Sequence, residues 1–475
     1  MLPPARVWSR DEMMKRVVTR LLCLGIAAFL AFAGCSNAPV AADRPAGGVL
    51  FEGARLIPGD GSAPVEDAAF TVVGGSIARV GRRGELTVSA GTARVDLSGK
   101  TVMPALIATH VHPGFQKGLT YSAENYTREN IVADLNRALY YGVAVVMSQG
   151  IEKGDVAFEI RADQAARRLG GARLLLAGRG IGAPNAGPGA AAYAGIAYEV
   201  TTEDQIRRAV QEQAAKKVNA IKIWVDDRGG RAPRLPLALS RAAIDEGHRH
   251  GLRVSAHIYY HADAMELAGS GIDSFAHLVR DRVMDDALIA AVVQRNVYVM
   301  PNLGGAERNT HLAPPAWLDE PYLLGLLTDT VPPEVIERVR ASFRRRTAKD
   351  VEPARRNYSS MHASLGRLNA AGARIILGCD TGLPDHFFGY AEQRELELMA
   401  AAGMSPAQVI VAATSRPAAY LGLEDTGTLA PNRRADFLVL DANPLDDIRN
   451  TRRIARIYIG GREVDRAALR ASLVK

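Results

Sequence analysis

Two histidines, His110 and His112, follow an apolar run at Val102–Ile107. The run has the composition of a buried strand in a parallel sheet, and Pro113-Gly114 ends it just after the second histidine. At this spacing on a strand both imidazoles point to the same side, where they can chelate a borderline metal such as zinc. An isolated pair of this kind also occurs incidentally on protein surfaces, so a metal site requires further ligands elsewhere.

Four more polar residues stand within or after other apolar runs. They are Lys222 in Ala220–Trp224, His257 after Arg253–Ala256, His277 after Ile272–Ala276, and Asp380 after Arg374–Leu377. Taken singly, each has an ordinary explanation as a core histidine, a lysine that reaches solvent, or a helix-capping aspartate. If the runs are strands of one barrel, their C-terminal ends meet on the face where such barrels carry their catalytic residues. Five metal-capable side chains and one buried lysine on that face predict a metal centre.

Strand-like and helix-like patterns alternate from Thr101 to about Gly422, as a barrel requires. The remaining predicted strands are Val143–Met147, Arg173–Ala177 and Val297–Met300. The predicted helices include Thr127–Tyr141, Thr202–Lys216, Leu237–His250, Ala262–Ala268 and Asp285–Arg295. The pattern predicts an α/β fold with a (β/α)8 TIM barrel. A doubly wound sheet is the alternative, but no dinucleotide fingerprint opens its first unit, and Gly178-x-Gly180-x-Gly182 is better interpreted as a loop over the barrel mouth.

Short β-like runs separated by glycine and proline flank the barrel on both sides. They are Val49–Leu56, Ala69–Val73, Ser76–Val80, Ala93–Leu97, Gly427–Leu429, Asp436–Leu440 and Ile454–Ile459. A short helical tail follows them. We therefore predict one small β-sandwich domain built from both chain ends.

The first 35 residues have the pattern of a targeting signal. Lys15, Arg16 and Arg20 precede a short apolar run, Leu21–Ala33, and Ala33-Gly34-Cys35 resembles the lipobox of bacterial lipoproteins. An ordinary secretory peptide is the alternative, and either one predicts export. Only Cys379 then remains in the folded part, which excludes an intramolecular disulfide.

The predicted organisation has five parts. They are a lipoprotein signal peptide (1–35), a flexible linker (36–48), the first part of the β-sandwich (49–102), the barrel (103–422) and the second part of the β-sandwich (423–475). Removing the signal lowers the net charge from +7 to about +4, too small a value to indicate nucleic acid. We expect a periplasmic or outer-membrane-tethered protein that contacts the membrane only through its lipid anchor, and a homo-oligomer is compatible with the sequence.

Several motifs together resemble the amidohydrolase superfamily, and most closely its imidazolonepropionase-like, prolidase-type branch. The similar segments are T-V-M-P-A-L-I-A-T-H-V-H, A-I-K-I-W, V-S-A-H, G-I-D-S-F-A-H-L, L-G-C-D-T-G, A-T-S-R-P-A-A-Y-L-G-L and R-A-D-F-L-V-L-D-A-N-P-L. The resemblance covers about Leu50 to Val464. Ala105 and Ala108 stand where the family usually has Gly and Asp; neither position is a ligand, so we expect altered packing around an intact site.

The resemblance implies two divalent metal ions, expected to be Zn²⁺. His110, His112 and Asp380 would hold the more buried ion, and His257 and His277 the other. Lys222 matches the lysine that CO2 converts to a carbamate bridging both ions. A hydroxide between the ions would be the nucleophile, and Asp380 would also move the proton to the leaving amine.

The implied activity is hydrolysis of a C–N amide bond in a small-molecule or short-peptide substrate, such as a dipeptide or an N-acyl amino acid. A cyclic amide, ester or lactone hydrolase and a non-catalytic periplasmic binding lipoprotein are the alternatives. His261, His386 and Tyr259 are candidate substrate contacts because they follow predicted ligands in the sequence. The insertion 304–358 carries a basic run that includes Arg344–Arg346; this is either a solvated helix face or part of a lid that offers cations to a substrate carboxylate.

Overall fold

The structure, a computed structural model, describes residues 48–187, 191–227, 230 and 232–473. The predicted signal peptide and the linker up to residue 47 lie outside the described residues. Across the part of the chain that is described, no helix is both long enough and apolar enough to cross a membrane.

The strands, in chain order, are β1 (Val49–Leu56), β2 (Val65–Val73), β3 (Ser76–Arg82), β4 (Ala93–Asp96), β5 (Thr101–Pro104), β6 (Leu106–Val111), β7 (Gln116–Lys117), β8 (Thr120–Tyr121), β9 (Val143–Ser148), β10 (Arg173–Leu176), β11 (Ile181–Gly182), β12 (Tyr198–Glu199), β13 (Ala220–Trp224), β14 (Arg253–His257), β15 (Ser274–Ala276), β16 (Tyr298–Met300), β17 (Arg374–Ile375), β18 (Phe437–Leu440), β19 (Ile454–Ile459) and β20 (Arg462–Glu463).

The α-helices are α1 (Arg128–Tyr140), α2 (Val156–Ala165), α3 (Glu203–Ala215), α4 (Leu237–Arg249), α5 (His261–Gly269), α6 (Asp286–Gln294), α7 (Leu303–Glu307), α8 (Ala316–Asp319), α9 (Pro321–Thr328), α10 (Pro333–Arg344), α11 (Ala348–Ala370), α12 (Tyr390–Ala401), α13 (Pro406–Ala413), α14 (Ser415–Leu421) and α15 (Arg466–Leu473). Side-chain caps fix several of their starts. Thr202 and Gln205 form a capping box at α3, and the carboxylate of Asp285 accepts from the Leu288 N–H at α6.

The predicted (β/α)8 barrel is confirmed. Parallel pairing runs β6–β9–β10 and β13–β14–β15–β16–β17. The Asn219 N–H donates to the Leu176 carbonyl at 2.7 Å and joins β10 to β13. The Thr109 N–H donates to the Leu377 carbonyl at 2.8 Å and joins the last strand to the first. The strands β6, β9 and β13 are buried at every position because helices cover the outside of the barrel while side chains fill its interior.

The predicted first strand, Val102–Ile107, is wrong as a single element. Thr101–Pro104 forms β5, which pairs antiparallel with β18 in the small domain. The chain crosses at Ala105 into β6, which begins the barrel and contains His110. An apolar run that enters one sheet and leaves in another keeps its buried pattern throughout, so periodicity did not reveal the break. The predicted strand at Gly427–Leu429 is also wrong, since this segment is a bend followed by irregular backbone.

The small β domain is built from both ends of the described chain, as predicted. Its strands follow the order β20-β19-β18-β5-β1-β2-β3, and β4 pairs with β1. The sheet curls back on itself, because Ile77 in β3 donates to the Arg433 carbonyl just before β18. The curled sheet encloses a core that contains the aromatic residues Phe51, Phe70, Phe437 and Tyr458.

A long insertion between β16 and β17 consists of helices α7 to α11. Its packing is largely apolar, with Leu323, Val335 and Phe343 buried in a separate cluster. Pro353 lies inside α11, one turn after the helix begins. This insertion forms the roof above the C-terminal ends of the barrel strands.

Candidate metal centre

Three of the predicted ligands meet around one carboxylate. The Nε2 atom of His112 lies 2.8 Å from Asp380 Oδ1, and that of His110 lies 3.3 Å from the same oxygen. Ligand atoms of these three residues all lie within 4.8 Å of one another, a spacing that suits one divalent ion. Both histidines are buried because β6 runs through the barrel wall.

The other two predicted histidines adjoin this group. His277, just after β15, has its Nε2 3.8 Å from Asp380 Oδ2. The ring centroid of His257, at the end of β14, is 4.4 Å from that of His277. The Nε2 of His257 also lies 3.3 Å from Oδ2 of Asp226, a buried carboxylate two residues beyond β13. The five imidazole and carboxylate side chains named in the sequence therefore form one continuous cluster.

Lys222 projects from β13 into the same interior. It is only 1% exposed, and its Nζ has no hydrogen-bond partner among the described residues. Gly150 makes room for it, because a Cβ there would stand 2.8 Å from Lys222 Cγ. Burial lowers the pKa of Lys222 to about 7, although the carboxylates of Asp380 and Asp226 act in the opposite direction. Much of this amine is therefore uncharged near neutral pH.

The ionisation states in the cluster suit a cation. Burial holds the pKa of His110 and of His277 well below the usual range, so both rings are neutral. Burial alone would raise the pKa of Asp380, but its polar contacts with His110, His277 and His112, which include the 2.8 Å hydrogen bond to His112 Nε2, outweigh burial and hold that pKa well below its usual value. Neutral imidazoles with an ionised carboxylate are the forms that bind metals.

Three residues that follow successive barrel strands around the cluster have strained backbones. His277, Asn302 and Asp380 have positive φ angles of 81°, 51° and 58°, in the left-handed region that non-glycine residues rarely adopt. At each position the chain turns sharply after a barrel strand and aims a polar side chain into the barrel mouth. Asn302, after β16, has its amide nitrogen 2.9 Å from His110 Nδ1 and 3.0 Å from His277 Nδ1.

A cavity of about 210 Å³ lies between the cluster and the roof. Strand ends supply His277, Asn302 and Asp380, and the segment after β15 supplies Arg280. The roof contributes Gly305, Ala306, Asn309, Ala354, Asn357 and Met361. The last three lie on one face of α11 at helical spacing, so the insertion covers the cavity as a lid would.

The structure places the predicted substrate contacts around the cavity rather than in its lining. The Oη of Tyr259 accepts a hydrogen bond from Asn357 Nδ2 at 2.9 Å. His386 is buried behind Asp380, where its Nε2 lies 3.0 Å from the Cys379 carbonyl oxygen. His261 is directed away from the cluster, with its Nε2 3.1 Å from the carboxylate of Asp285. A substrate contact through His261 therefore has no geometric support.

The basic run of the insertion does not face the cavity. Arg344 and Arg345 are exposed, and Arg346 donates to the Arg308 carbonyl. The hypothesis that this basic run offers cations to the substrate is therefore wrong, because the cation that lines the cavity is Arg280.

The sequence analysis did not identify three polar residues of the site, Arg280, Asp226 and Asn302, because it considered only metal-binding residue types close to the ends of predicted strands. Each lies two to four residues beyond a barrel strand, and a wider search for polar residues there would have found them.

The residues present fit a metal centre of the expected kind. Four imidazoles and an ionised carboxylate converge, and His112 Nδ1 and Lys222 Nζ are buried atoms without hydrogen-bond partners in the described structure. Asp226 adds a further oxygen donor beside His257. Nitrogen and oxygen donors of this mixture suit zinc and neighbouring divalent ions.

Comparisons with known proteins agree with this geometry. A model of the Amidohydrolase family matches residues 101–464. The imidazolonepropionase of Deinococcus radiodurans is 25% identical over 414 residues, which are 84% of this chain and 92% of that protein. Uncharacterized proteins of Mycobacterium tuberculosis and Mycobacterium bovis are 26% identical over 209 residues, 43% of this chain, and the match spans about half (51%) of their length. A solved structure from Bifidobacterium longum, assigned provisionally as a prolidase, has a TM-score of 0.70 and 26% identity and covers 90% of this chain and 98% of that chain.

Proposed function

Because the chain belongs to the amidohydrolase family and is a hydrolase of that superfamily, we propose that it cleaves a C–N amide bond in a dipeptide or an N-acyl amino acid, using two divalent ions. The observation that carries the proposal is the convergence of His110, His112, His277 and Asp380 beside a small cavity. The provisional assignment of the Bifidobacterium longum protein as a prolidase supports this type of bond.

The chain's own residues have distinct roles in this proposal. His110, His112 and Asp380 would hold one ion, and His257 and His277 would hold the other. Bound divalent ions would supply polarisation of the amide carbonyl and a lowered pKa for water. The uncharged amine of Lys222 has a free electron pair that could form a bond to the carbon of CO2, and loss of one proton would leave an anionic carbamate whose oxygens would be available as metal ligands.

Asp380 moves the proton in the reaction. Its ionised carboxylate accepts a proton from the attacking water and returns it to the leaving amine nitrogen as the C–N bond breaks. The imidazoles on either side of Asp380 keep it ionised before the reaction begins. The roof helices cover one side of the cavity and so reduce its contact with bulk water, which strengthens these electrostatic interactions.

Metal analysis by plasma mass spectrometry tests the proposal directly. We expect about two zinc ions per purified full chain, and fewer in a Lys222→Ala variant, because loss of the carbamate removes a ligand of both ions. Lys216→Ala is the matched control, since Lys216 is a surface lysine paired with Asp155. One ion, unchanged in the Lys222→Ala variant, would indicate a mononuclear site with a structural lysine. Absence of metal after growth with zinc would refute the proposal.

A second candidate function is hydrolysis of a cyclic amide. The match to an imidazolonepropionase over 84% of this chain favours it. Parallel assays of linear dipeptides, N-acyl amino acids, cyclic amides, esters and lactones distinguish the bond types. A His110→Ala variant that folds but loses the activity supports an enzyme, whereas wild-type protein that binds no metal supports a binding lipoprotein.

Export as a lipid-anchored periplasmic or outer-membrane protein is part of the proposal and is supported by the sequence of residues 1–35 alone. A Cys35→Ser variant should lose lipid labelling and move from the membrane fraction to the soluble fraction. An unchanged distribution would contradict the anchor.

A further inference from the structure

Arg280 is the cation of the cavity. Of the described residues that line it, Arg280 alone carries a permanent positive charge, and Asp380 alone carries a carboxylate. Asp380 and the neutral imidazole of His277 belong to the ligand cluster, so metal binding would neutralise the carboxylate. The remaining lining residues are amide, small or apolar, as in Asn309, Ala306 and Leu383. The loaded cavity would therefore have a positive potential that favours an anionic ligand.

Among the described residues, the guanidinium of Arg280 has no ion-pair partner that would account for its position. Its Nε is buried without a hydrogen-bond partner among the described residues, and its guanidinium carbon is 5.7 Å from the centroid of the Tyr259 ring. Burial lowers the pKa of Arg280, and the charges of the Asp226 and Asp380 carboxylates act in the opposite direction. A partly buried guanidinium without a bonded anion destabilises the fold unless a ligand supplies that anion. Its planar group of donors matches a carboxylate.

A backbone hydrogen bond and a contact with the roof hold the segment around Arg280 in place. The Arg280 N–H donates to the Tyr259 carbonyl at 2.9 Å, and the Tyr259 hydroxyl accepts from Asn357 of α11. The cavity volume of about 210 Å³ accommodates a ligand of roughly the size of a small acylated amino acid. Arg280 and the ligands His277 and Asp380 line the same cavity, so one small molecule can contact both.

We propose that Arg280 binds a carboxylate of the substrate, so that the substrate class is a small acid such as a dipeptide or an N-acyl amino acid with its carboxylate free. This inference rests on the proposed function, of which it specifies the substrate. The carboxylate belongs either to the amine component or to the acyl component of the amide, and both sources share this chemistry.

Calorimetric titration of the zinc-loaded full chain with three probes tests the proposal. N-acetyl-L-alanine carries the carboxylate on the amine component, N-succinyl-L-alaninamide carries it on the acyl component, and N-acetyl-L-alaninamide is neutral. We expect one of the two acids to bind at least 10-fold more tightly than the neutral probe, since a charge-assisted pair contributes about 1.5–3 kcal/mol. Failure of both acids to exceed the neutral probe, including failure of every probe to bind, would overturn the proposal.

The variants separate substrate binding from a structural role. Arg280→Gln should weaken binding of the preferred acid about 10- to 100-fold and leave the neutral probe within about 2-fold. Arg280→Lys, which keeps the charge but loses the planar donors, should have an intermediate effect and supplies the test if Arg280→Gln does not fold. Arg345→Gln, at an exposed position, is the matched control. Equal weakening of acid and neutral probe in the Arg280 variants would assign Arg280 a positioning role instead.

Failure of the proposed function would give a different result from failure of the carboxylate site. If Arg280-dependent binding of an acid persists while no amide is hydrolysed, the carboxylate site stands and the amidase proposal fails. If acids and carboxamides are hydrolysed equally by the wild type and by Arg280→Gln, the amidase proposal stands and the carboxylate site fails.

Discussion

Asn302 joins two histidines that belong to different predicted metal positions. Its carboxamide lies about equally close to Nδ1 of His110 and Nδ1 of His277, at 2.9 and 3.0 Å. A metal on Nε2 of each ring requires a hydrogen on Nδ1, and that hydrogen needs an acceptor. Rotation of the carboxamide by 180° presents Oδ1 to both rings, so Asn302 can orient two ligands at once.

Substitution of Asn302 tests this positioning role. Asn302→Leu should weaken zinc binding about 10- to 100-fold, measured by competition with a chromophoric chelator, because both rings lose their acceptor. Asn302→Asp should retain zinc binding, since a carboxylate accepts from both Nδ1–H groups. Asn369→Leu, in α11 and outside the cluster, controls for the loss of an amide. Equal zinc affinity in the Leu and Asp variants would contradict the role.

Glu152 is a buried carboxyl that should make stability depend on pH. Burial raises its pKa from 4.5 to about 7 in the folded protein. In the unfolded chain it ionises near 4.5, so its stabilising contribution is complete below about pH 4.5 and is lost as pH rises through about 7.

A Glu152→Gln variant removes this pH dependence. Between pH 5 and pH 8, its free energy of unfolding relative to the wild type should rise by up to about 3 kcal/mol. Paired melting curves at these two pH values measure the change as a shift in the Tm difference. Glu159→Gln, at an exposed position in α2, is the matched control. A Tm difference for Glu152→Gln that does not change with pH would show that this carboxyl is not titrating in the fold.

At the scale of elements, the sequence predicted those strands whose bounds are specified by short local patterns. The strands Val49–Leu56, Ala220–Trp224 and Ile454–Ile459 have their predicted bounds because turn residues enclose each apolar run. The candidate ligands could be named because they lie in or just after such strands. The break at Ala105 and the contacts of Asn302 and Arg280 depend on which distant strands meet, and no local pattern specifies that.

One arginine of α10 links the roof to two loops at the barrel mouth. Arg338 pairs with Asp385, in the loop after Asp380, and also donates to the Leu119 carbonyl. Both partners of the ion pair are largely buried, with 28% and 14% of their side-chain surface exposed. Removing one partner of a pair that is mostly excluded from solvent is destabilising, because the other charge is left buried and unpaired.

An Arg338→Met variant should therefore loosen the roof while leaving the metal ligands in place. We expect several-fold faster limited proteolysis within the insertion and a higher KM, with unchanged zinc content, because the insertion contributes the cavity lining and none of the ligands. Arg344→Met, at the exposed end of the same helix, is the control. Loss of zinc together with faster cleavage would show instead that the roof and the metal centre form one cooperative unit.

At the scale of the whole molecule, one strand belongs to two cores. Side chains of β18 alternate in direction, so Phe437 and Val439 pack into the small β domain while Leu438 and Leu440 pack into the barrel core. The Ala105 N–H, at the crossing from β5 to β6, donates to the Asp436 carbonyl at 3.0 Å. A Cβ on Gly142 would stand 2.9 Å from Leu438 Cδ1, which shows how closely the barrel approaches this strand.

The two regions should therefore unfold together. Phe437 lies 4.6 Å from Tyr458 and 5.2 Å from Phe51 between ring centroids, so Phe437→Ala removes the centre of the small core, and Leu438→Ala opens a cavity on the barrel side. We expect each to cost about 2–5 kcal/mol and to lower the Tm of a single calorimetric transition, because damage on either face of β18 reaches both cores. Val73→Ala, at a position of β2 that is 41% exposed, should change the Tm little. If Phe437→Ala splits the transition into two, and only the earlier one moves, the small domain unfolds independently and β18 does not couple the two cores.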